Sequence, residues 1–554
     1  MKKFKRMMCV GAAISLAACS TLTLFGCSAE SDVITLRVAN WEEYIDLGDW
    51  GEDEFIDIDN EYSEDGGVFG ENSMVDDFVE WFNANHDYEV EVEYSTFGTN
   101  EDLYNRLSLG DVYDLVCPSD YMIEKLLNEG ELEPYSETFL DTSIEENYYV
   151  NNASTYITDI FDNYMDGNGK TWNGYAACYM WGTTGIVYNP DKVDEAAVST
   201  WEILRDTDYN RQVTIKDNVR DAYFATLGII HGDELREGVS DERRSDLLND
   251  TSDETIAAAE DMLKEIKENV YSFETDSGKA DMVTGKVLAN YQWSGDAVYI
   301  MDEAEGDELN PTELWYSVPN ECTNLWFDGW VMLKDGIDGN AQRKEAAEAF
   351  VNFLSRPDNA VRNMYYIGYT SSIAADMVYD YMDWNYGFVF DTEDEEYFDP
   401  ELTEVYRYDL TYFFGGEEGT YLYVDASTLE LSGDYEETTC LLGQDEGYSD
   451  NNIEYTLYSG GNINRGRQLF GQYPTANVIA RSVVMLDFGD KLADINQMWI
   501  NVRCLDLLDF NPVVVGVVAA LICAVIIAIV LYRYRYKIFI KKYRPRKGYK
   551  KVEA

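Results

Sequence analysis

The sequence predicts an α/β protein of two lobes, with a ligand cleft where the strand ends meet. Strand-like alternation and helix-spaced stretches follow one another from residue 34, and the same succession resumes in a second block from residue 213. The chain, at 554 residues, is also longer than one hydrophobic core fills. Strands alternating with helices place a largely parallel sheet between helical layers.

The elements follow in order. Ile34 to Val38 alternates apolar and polar residues and predicts a strand. Val75 to Phe82 has helical spacing, and Tyr88 to Tyr94 alternates again. Thr99, with Glu101 and Asp102 behind it, starts a helix through Leu109. Val112 to Val116 is a compact apolar strand, and Ser119 is placed to cap a helix through Leu127. In the second block Val213 to Ile215, Val287 to Gln292 and Leu314 to Val318 predict strands. Thr255 to Lys267 predicts a helix, as does Ala341 to Leu354, closed by Pro357. Asp46 to Ser73 is rich in Asp, Glu and Gly and predicts a long surface loop. Tyr379 to Ser459 is dense in Tyr and acids, with a short strand at Thr420 to Val424. It reads as an insertion without an assigned role.

Both ends stand apart from the fold. Lys2, Lys3, Lys5 and Arg6 precede an uncharged stretch to Gly26, which reads as an export signal over residues 1–26. Leu24-Phe25-Gly26-Cys27 resembles a lipobox, so Cys27 is the expected lipidation site, ahead of the tether 27–32; Cys19 also fits that pattern. At the other end Val513 to Leu531 is free of charge and long enough for roughly 30 Å of hydrocarbon, so a transmembrane helix is expected over 513–532. The tail 533–554 is basic and predicts a cytoplasmic side. The globular part is thereby expected outside the cell membrane, anchored to its face. The lobes are expected at 33–188 with 294–332, and at 189–293 with 333–510.

The formal net charge is −64, and 14 of the 41 basic residues lie in the two terminal segments, which leaves the part between them more acidic still. An acidic exterior repels nucleic acid and gathers cations. Beyond the signal the cysteines are irregularly spaced, so no disulfide framework follows. With only His86 and His231, a His-based catalytic centre or zinc site is disfavoured. The phosphate-cradling loop of an ATPase is missing, as is a nucleophile elbow. No enzyme activity and no cofactor are expected.

Several strings in order then point one way. They are Asn40-Trp41-Glu42-Glu43-Tyr44, Tyr94-Ser95-Thr96-Phe97-Gly98-Thr99-Asn100-Glu101, and Tyr113-Asp114-Leu115-Val116-Cys117-Pro118-Ser119-Asp120-Tyr121. Trp181-Gly182-Thr183-Thr184-Gly185-Ile186, Trp293-Ser294-Gly295-Asp296-Ala297, Trp326-Phe327-Asp328 and Phe353-Leu354-Ser355-Arg356-Pro357 follow. In this order they resemble the spermidine/putrescine-binding proteins of ABC transporters, from about Leu36 to Tyr369.

The resemblance implies a type II, periplasmic-binding-protein-like fold that closes on its ligand by hinge motion. It implies a polyamine ligand, delivered to a permease and an ATPase on separate chains. It also implies an aromatic box with acidic ends. Trp41, Glu42, Glu43 and Tyr44 match the loop after the first strand, and Ser119 and Tyr121 match a second wall. Asp221 matches an acidic amine contact, Trp293 and Asp296 a stacking ring with its carboxylate, and Trp326 a further wall. Asn218 stands where an acid is common in that family. The residue types suit the chemistry: carboxylates take ammonium groups, and aromatic faces cover methylenes while attracting positive charge. A sugar or an amino-acid derivative on the same fold is the alternative ligand.

Overall fold

The computed structural model describes residues 33–533 apart from 52–53, 64–65, 166–168, 308, 390–401, 442–453, 505–519 and 522. The chain divides into two compact units, residues 1–495 and 496–554. In the first unit the strands are β1 (Ile34–Trp41), β2 (Val90–Phe97), β3 (Leu115–Val116), β4 (Leu132–Glu133), β5 (Ala176–Tyr188), β6 (Val213–Lys216), β7 (Ser272–Glu274) and β8 (Ala289–Trp293). They continue with β9 (Trp315–Ser317), β10 (Thr323–Leu333), β11 (Thr370–Ser371), β12 (Glu404–Asp409), β13 (Tyr421–Asp425), β14 (Leu429–Leu441), β15 (Glu454–Gly466) and β16 (Ser482–Val483).

β1 lies parallel between β2 and β3, and helices fill the connections, as the alternation predicts. The second block repeats this with β6 parallel to both β7 and β8. The sheet is nevertheless mixed, because β5 and β10 cross between the blocks as antiparallel partners. The first part of β5 pairs with β10 and β11, and the last part with β8 and β9. All thirteen residues of β5 are buried, as a strand covered on both faces requires. The two blocks meet around Gly182, Thr183 and Thr184.

Local chemistry fixes the helix starts. Thr99 Oγ1 accepts from the Asp102 amide at 3.0 Å, and Asn218 Oδ1 accepts from the Arg220 amide at 2.8 Å. Pro357 not only closes the preceding helix, Ala341–Leu354, but opens the next, Pro357–Ile367, at its first position.

Four expectations need correction. Asp46 to Ser73 is not a surface loop: Trp50, Ile56, Ile58 and Val68 are buried core residues. One of its acids, Asp46, is 0% exposed and ion-paired to Arg362, which also bonds Asp77 at 2.5 Å. Second, helix Ala341–Leu354, expected in the second lobe, packs on the first. Phe350 meets Phe78 edge-on at 4.9 Å, and Phe353 meets it at 5.7 Å. Third, the Tyr-rich insertion does not stand apart from the compact plan: the strand expected at Thr420 to Val424 forms as β13, and Phe413 stacks on Trp181 of the crossing strand at 5.3 Å. Fourth, the expected membrane span over 513–532 is not found. Among the described residues no helix is long and apolar enough to cross a membrane. The residues described there, 520–521 and 523–533, are helical. Residues 511–519 and 522, the tail from 534, the signal and Cys27 lie outside the described residues.

Candidate functional site

The site is assembled where β1, β8 and β10 end or bend near one another. β10 carries a register irregularity between Asp328 and Gly329, a bulge of the kind that re-aims a side chain. It directs Asp328 to two hydroxyls: Tyr44 donates to it at 2.8 Å and Ser119 at 2.7 Å. Ser119 was expected to cap the following helix; its hydroxyl goes to Asp328 instead and makes no capping bond. Both partners of Asp328 are neutral, and burial pushes its carboxyl up to about 6 against their hydrogen bonds.

A run of rings leads away from that carboxylate. Tyr44 meets Tyr369 edge-on at 4.9 Å, and Tyr369 meets Trp326 at 5.7 Å. Trp326 is fixed by its indole N–H, which donates to the Thr183 carbonyl at 3.0 Å. Two glycines make this packing possible. A Cβ on Gly182 would stand 2.6 Å from the Trp326 ring, and one on Gly295 would stand 2.3 Å from the Tyr369 ring.

At the far end of the run the Tyr369 hydroxyl donates to Asp296 Oδ1 at 2.9 Å. Asp296 lies in the first turn of helix Ser294–Gly306, three residues beyond Trp293 at the end of β8. It is shared with two lysines, Lys279 Nζ at 3.0 Å from Oδ1 and Lys216 Nζ at 3.9 Å from Oδ2. Lys216 also stands over the Trp293 ring, 3.8 Å from its centroid, and donates to the Thr275 carbonyl at 3.0 Å. Burial pushes the Lys216 ammonium down, with Glu274 and Asp296 opposing. Burial also works against the Lys279 charge, but the Asp296 carboxylate outweighs it and holds the pKa above its ordinary range. Asp221 is pushed up to about 6 by burial, against Lys216 and a hydrogen bond from Trp293.

The sequence-selected residues therefore fall into groups. Tyr44, Ser119, Trp326 and Asp296 join one network through Asp328 and Tyr369, and Trp293 and Asp221 join it through Lys216. Tyr121 lies beneath Arg220, whose guanidinium is 3.9 Å from its ring centroid. Arg220 pairs with Asp487 at 3.3 Å, not with the adjacent Asp221. Trp41 packs on Phe97 at 4.9 Å, and its buried indole N–H finds no acceptor among the described residues. Glu42 and Glu43 are exposed on the turn after β1, where Glu43 takes a left-handed φ of 54°. Asn218 caps helix Val219–Ile230. Asp120 accepts backbone N–H groups from Tyr121 and Phe327, so it fastens the helix start to β10. Tyr369, Lys216 and Lys279 were missed by sequence reasoning; Asp328 was in a quoted string without a role. The depression lined by Glu202, Arg205, Asp206, Thr207 and Glu265, of about 330 Å³, shares no residue with this network.

Residues 77–381 match the family model of the bacterial extracellular solute-binding proteins, which is more than half of the chain. The chain belongs to that family. It is 30% identical over 289 residues to the spermidine/putrescine-binding periplasmic protein of Escherichia coli, covering 52% of this chain and 72% of that protein. Its identity to the protein of the same description from Salmonella typhimurium is 26% over 378 residues, 68% of this chain and 86% of the relative. A solved structure provisionally described as a spermidine/putrescine ABC transporter from Listeria monocytogenes superposes with a TM-score of 0.50 at 21% identity, over 85% of this chain and 98% of that one. That likeness shows the two-lobed solute-binding fold. As a member of an extracellular solute-binding family, the chain fits a capture role rather than an enzyme's.

Proposed function

We propose that this solute-binding protein captures a polyamine outside the cell membrane and delivers it to an ABC permease driven by a separate ATPase chain. The observation that carries the reading is the pair of buried carboxylates, Asp328 and Asp296, joined by the rings of Tyr44, Tyr369 and Trp326. A polyamine is a string of ammonium groups on methylenes. Carboxylates take the ends through charge-assisted bonds, and rings cover the stem at about 0.5–2 kcal/mol per cation–π contact. In this reading Asp328, whose partners among the described residues are the Tyr44 and Ser119 hydroxyls, receives one ammonium group. Asp221 faces the other ammonium group with Trp293 and Asp296 closing that end behind it, Ser119 and Tyr121 form a wall, Asn218 holds the Asp221 helix in place, and Trp41, Glu42 and Glu43 form the rim. The names of the relatives agree with this ligand class.

Tyr44, Asp221, Asp296, Trp326 and Asp328 are each less than a tenth exposed, so the lobes must part for the ligand to enter. We place the hinge in β5 and β10. Lipid on Cys27 would keep the protein at the membrane face; labelling with palmitate that survives Cys27→Ala would remove that part. The reading itself is tested by titration calorimetry with putrescine and spermidine. Saturable binding is expected, and its absence at near-millimolar ligand would discard it. A neutral sugar is set apart by Asp328→Asn, which should cost a cationic ligand at least about 1.5 kcal/mol and a sugar far less.

A further inference from the structure

We infer that Lys216 stands in for one ammonium group of the ligand, so that the site selects a short diamine over a triamine. The inference rests on the polyamine reading above and names the ligand within it.

Trp293 and Asp296 make the kind of seat an amine needs, a ring face with a carboxylate beside it. That seat is already filled from within the chain. Lys216 Nζ lies 3.8 Å from the Trp293 centroid and 3.9 Å from Asp296, and its side chain is 1% exposed. Lys279 takes the same carboxylate at 3.0 Å. Neither lysine sits on a mobile loop. Lys216 is the last residue of β6, two residues before the Asn218 cap, and Lys279 lies in helix Ser277–Val283.

The charge balance points to the size of the ligand. Four carboxylates of this network are nearly fully buried: Asp221, Glu274, Asp296 and Asp328. Two ammonium groups, Lys216 and Lys279, lie among them. Asp120, also buried, stands outside this count: it accepts the Tyr121 and Phe327 amides, and burial pushes its carboxyl well above the usual range, toward the neutral form. Among the described residues of this network four carboxylates thus face two ammonium groups, an excess of two negative charges. A buried charge without a partner is costly, so the ligand that closes this site best is a dication. A trication overshoots, and its third ammonium would meet Lys216 on the indole. The free end is at Asp328, whose two partners are hydroxyls.

The test is calorimetry on the full-length chain with putrescine, spermidine and 4-aminobutyrate, for the wild type and for Lys216→Met. The wild type should bind putrescine at least about ten-fold more tightly than spermidine. Lys216→Met, which vacates the seat but keeps its apolar stem, should shift that ratio toward spermidine by about ten-fold or more. If Lys216→Met does not fold, Lys216→Gln serves, and the wild-type preference is a test by itself. Amine binding with a wild-type preference for spermidine, or with a ratio that Lys216→Met leaves unchanged, overturns this inference alone. Tighter binding of 4-aminobutyrate than of putrescine overturns it too, because the lysines would then be receiving a carboxylate. No saturable binding of either amine to wild type or variant fails the polyamine reading, and the inference with it.

Discussion

The Tyr369 hydroxyl donates to Asp296 across 2.9 Å, although 73 residues separate the two in the chain. The bond ties the helix after β8 to the segment leading into β11, and the same tyrosine ring touches Tyr44 and Trp326. One side chain thus couples the acidic end of the network to its aromatic wall.

Tyr369→Phe keeps the ring and removes the hydroxyl. Hydrogen bonds to charged groups are worth about 1.5–3 kcal/mol. Lys279 remains on Asp296, so the loss should fall near the lower figure, read as a shift in urea midpoint at unchanged slope. An unchanged midpoint would mean the hydroxyl contributes nothing to the fold.

Gly295→Ala should destabilise by about 1–3 kcal/mol, the range for overpacking a filled interior. Its new methyl meets the Tyr369 ring at 2.3 Å, so the ring must move and its bond to Asp296 with it. The cost should therefore be non-additive with Tyr369→Phe in a double-mutant cycle. Strict additivity would show that the two positions do not communicate.

Arg362→Met should cost about 3–5 kcal/mol, because it strands Asp46 in the interior without its counter-charge. Chemical denaturation measures it directly. Recovery in the double variant Arg362→Met with Asp46→Asn would trace the loss to the stranded charge. A loss that the second substitution leaves untouched would assign it to packing.

The pH response has a definite sign. Asp328 ionises near 3.8 in the unfolded chain and at about 6 in the folded one. Between these values the native state holds a proton that the unfolded state has released, so stability falls as pH rises through the window. The contribution is fully present below the unfolded value and is lost above about 6. Asp221 behaves in the same direction. Compared with the wild type, Asp328→Asn should flatten the slope of stability against pH between 4 and 6, measured by thermal melts. A cationic ligand needs the ionised form, so amine affinity should rise from pH 5 to pH 7. A slope that Asp328→Asn leaves unaltered would contradict the shift.

Much of the scaffold was legible because its signals are local. Thr99 announces a helix start, and the alternation in Ile34 to Val38 announces β1. The site was legible only where the resemblance pointed, as at Tyr44 and Trp293. Lys216 was opaque for a physical reason: a lysine at the end of a strand ordinarily turns to solvent, and only the arrival of Trp293 at the end of β8 and Asp296 in the helix behind it makes burial tolerable. The Asp46 segment misled for the same reason, since its partner Arg362 lies 316 residues away. Ser119 obeyed the pattern of a cap, but a better acceptor on β10 claimed its hydroxyl. The apolar run near the C-terminus matched the length of a span, whereas no such helix forms among the described residues.

The continuous strand Ala176–Tyr188 has a consequence for how this protein comes apart. Because one ribbon of backbone is woven into the sheets of both blocks, neither block can melt without pulling an edge from the other. Heating should therefore release residues 33–495 in one cooperative step, and amide exchange along Ala176–Tyr188 should be the slowest in the molecule.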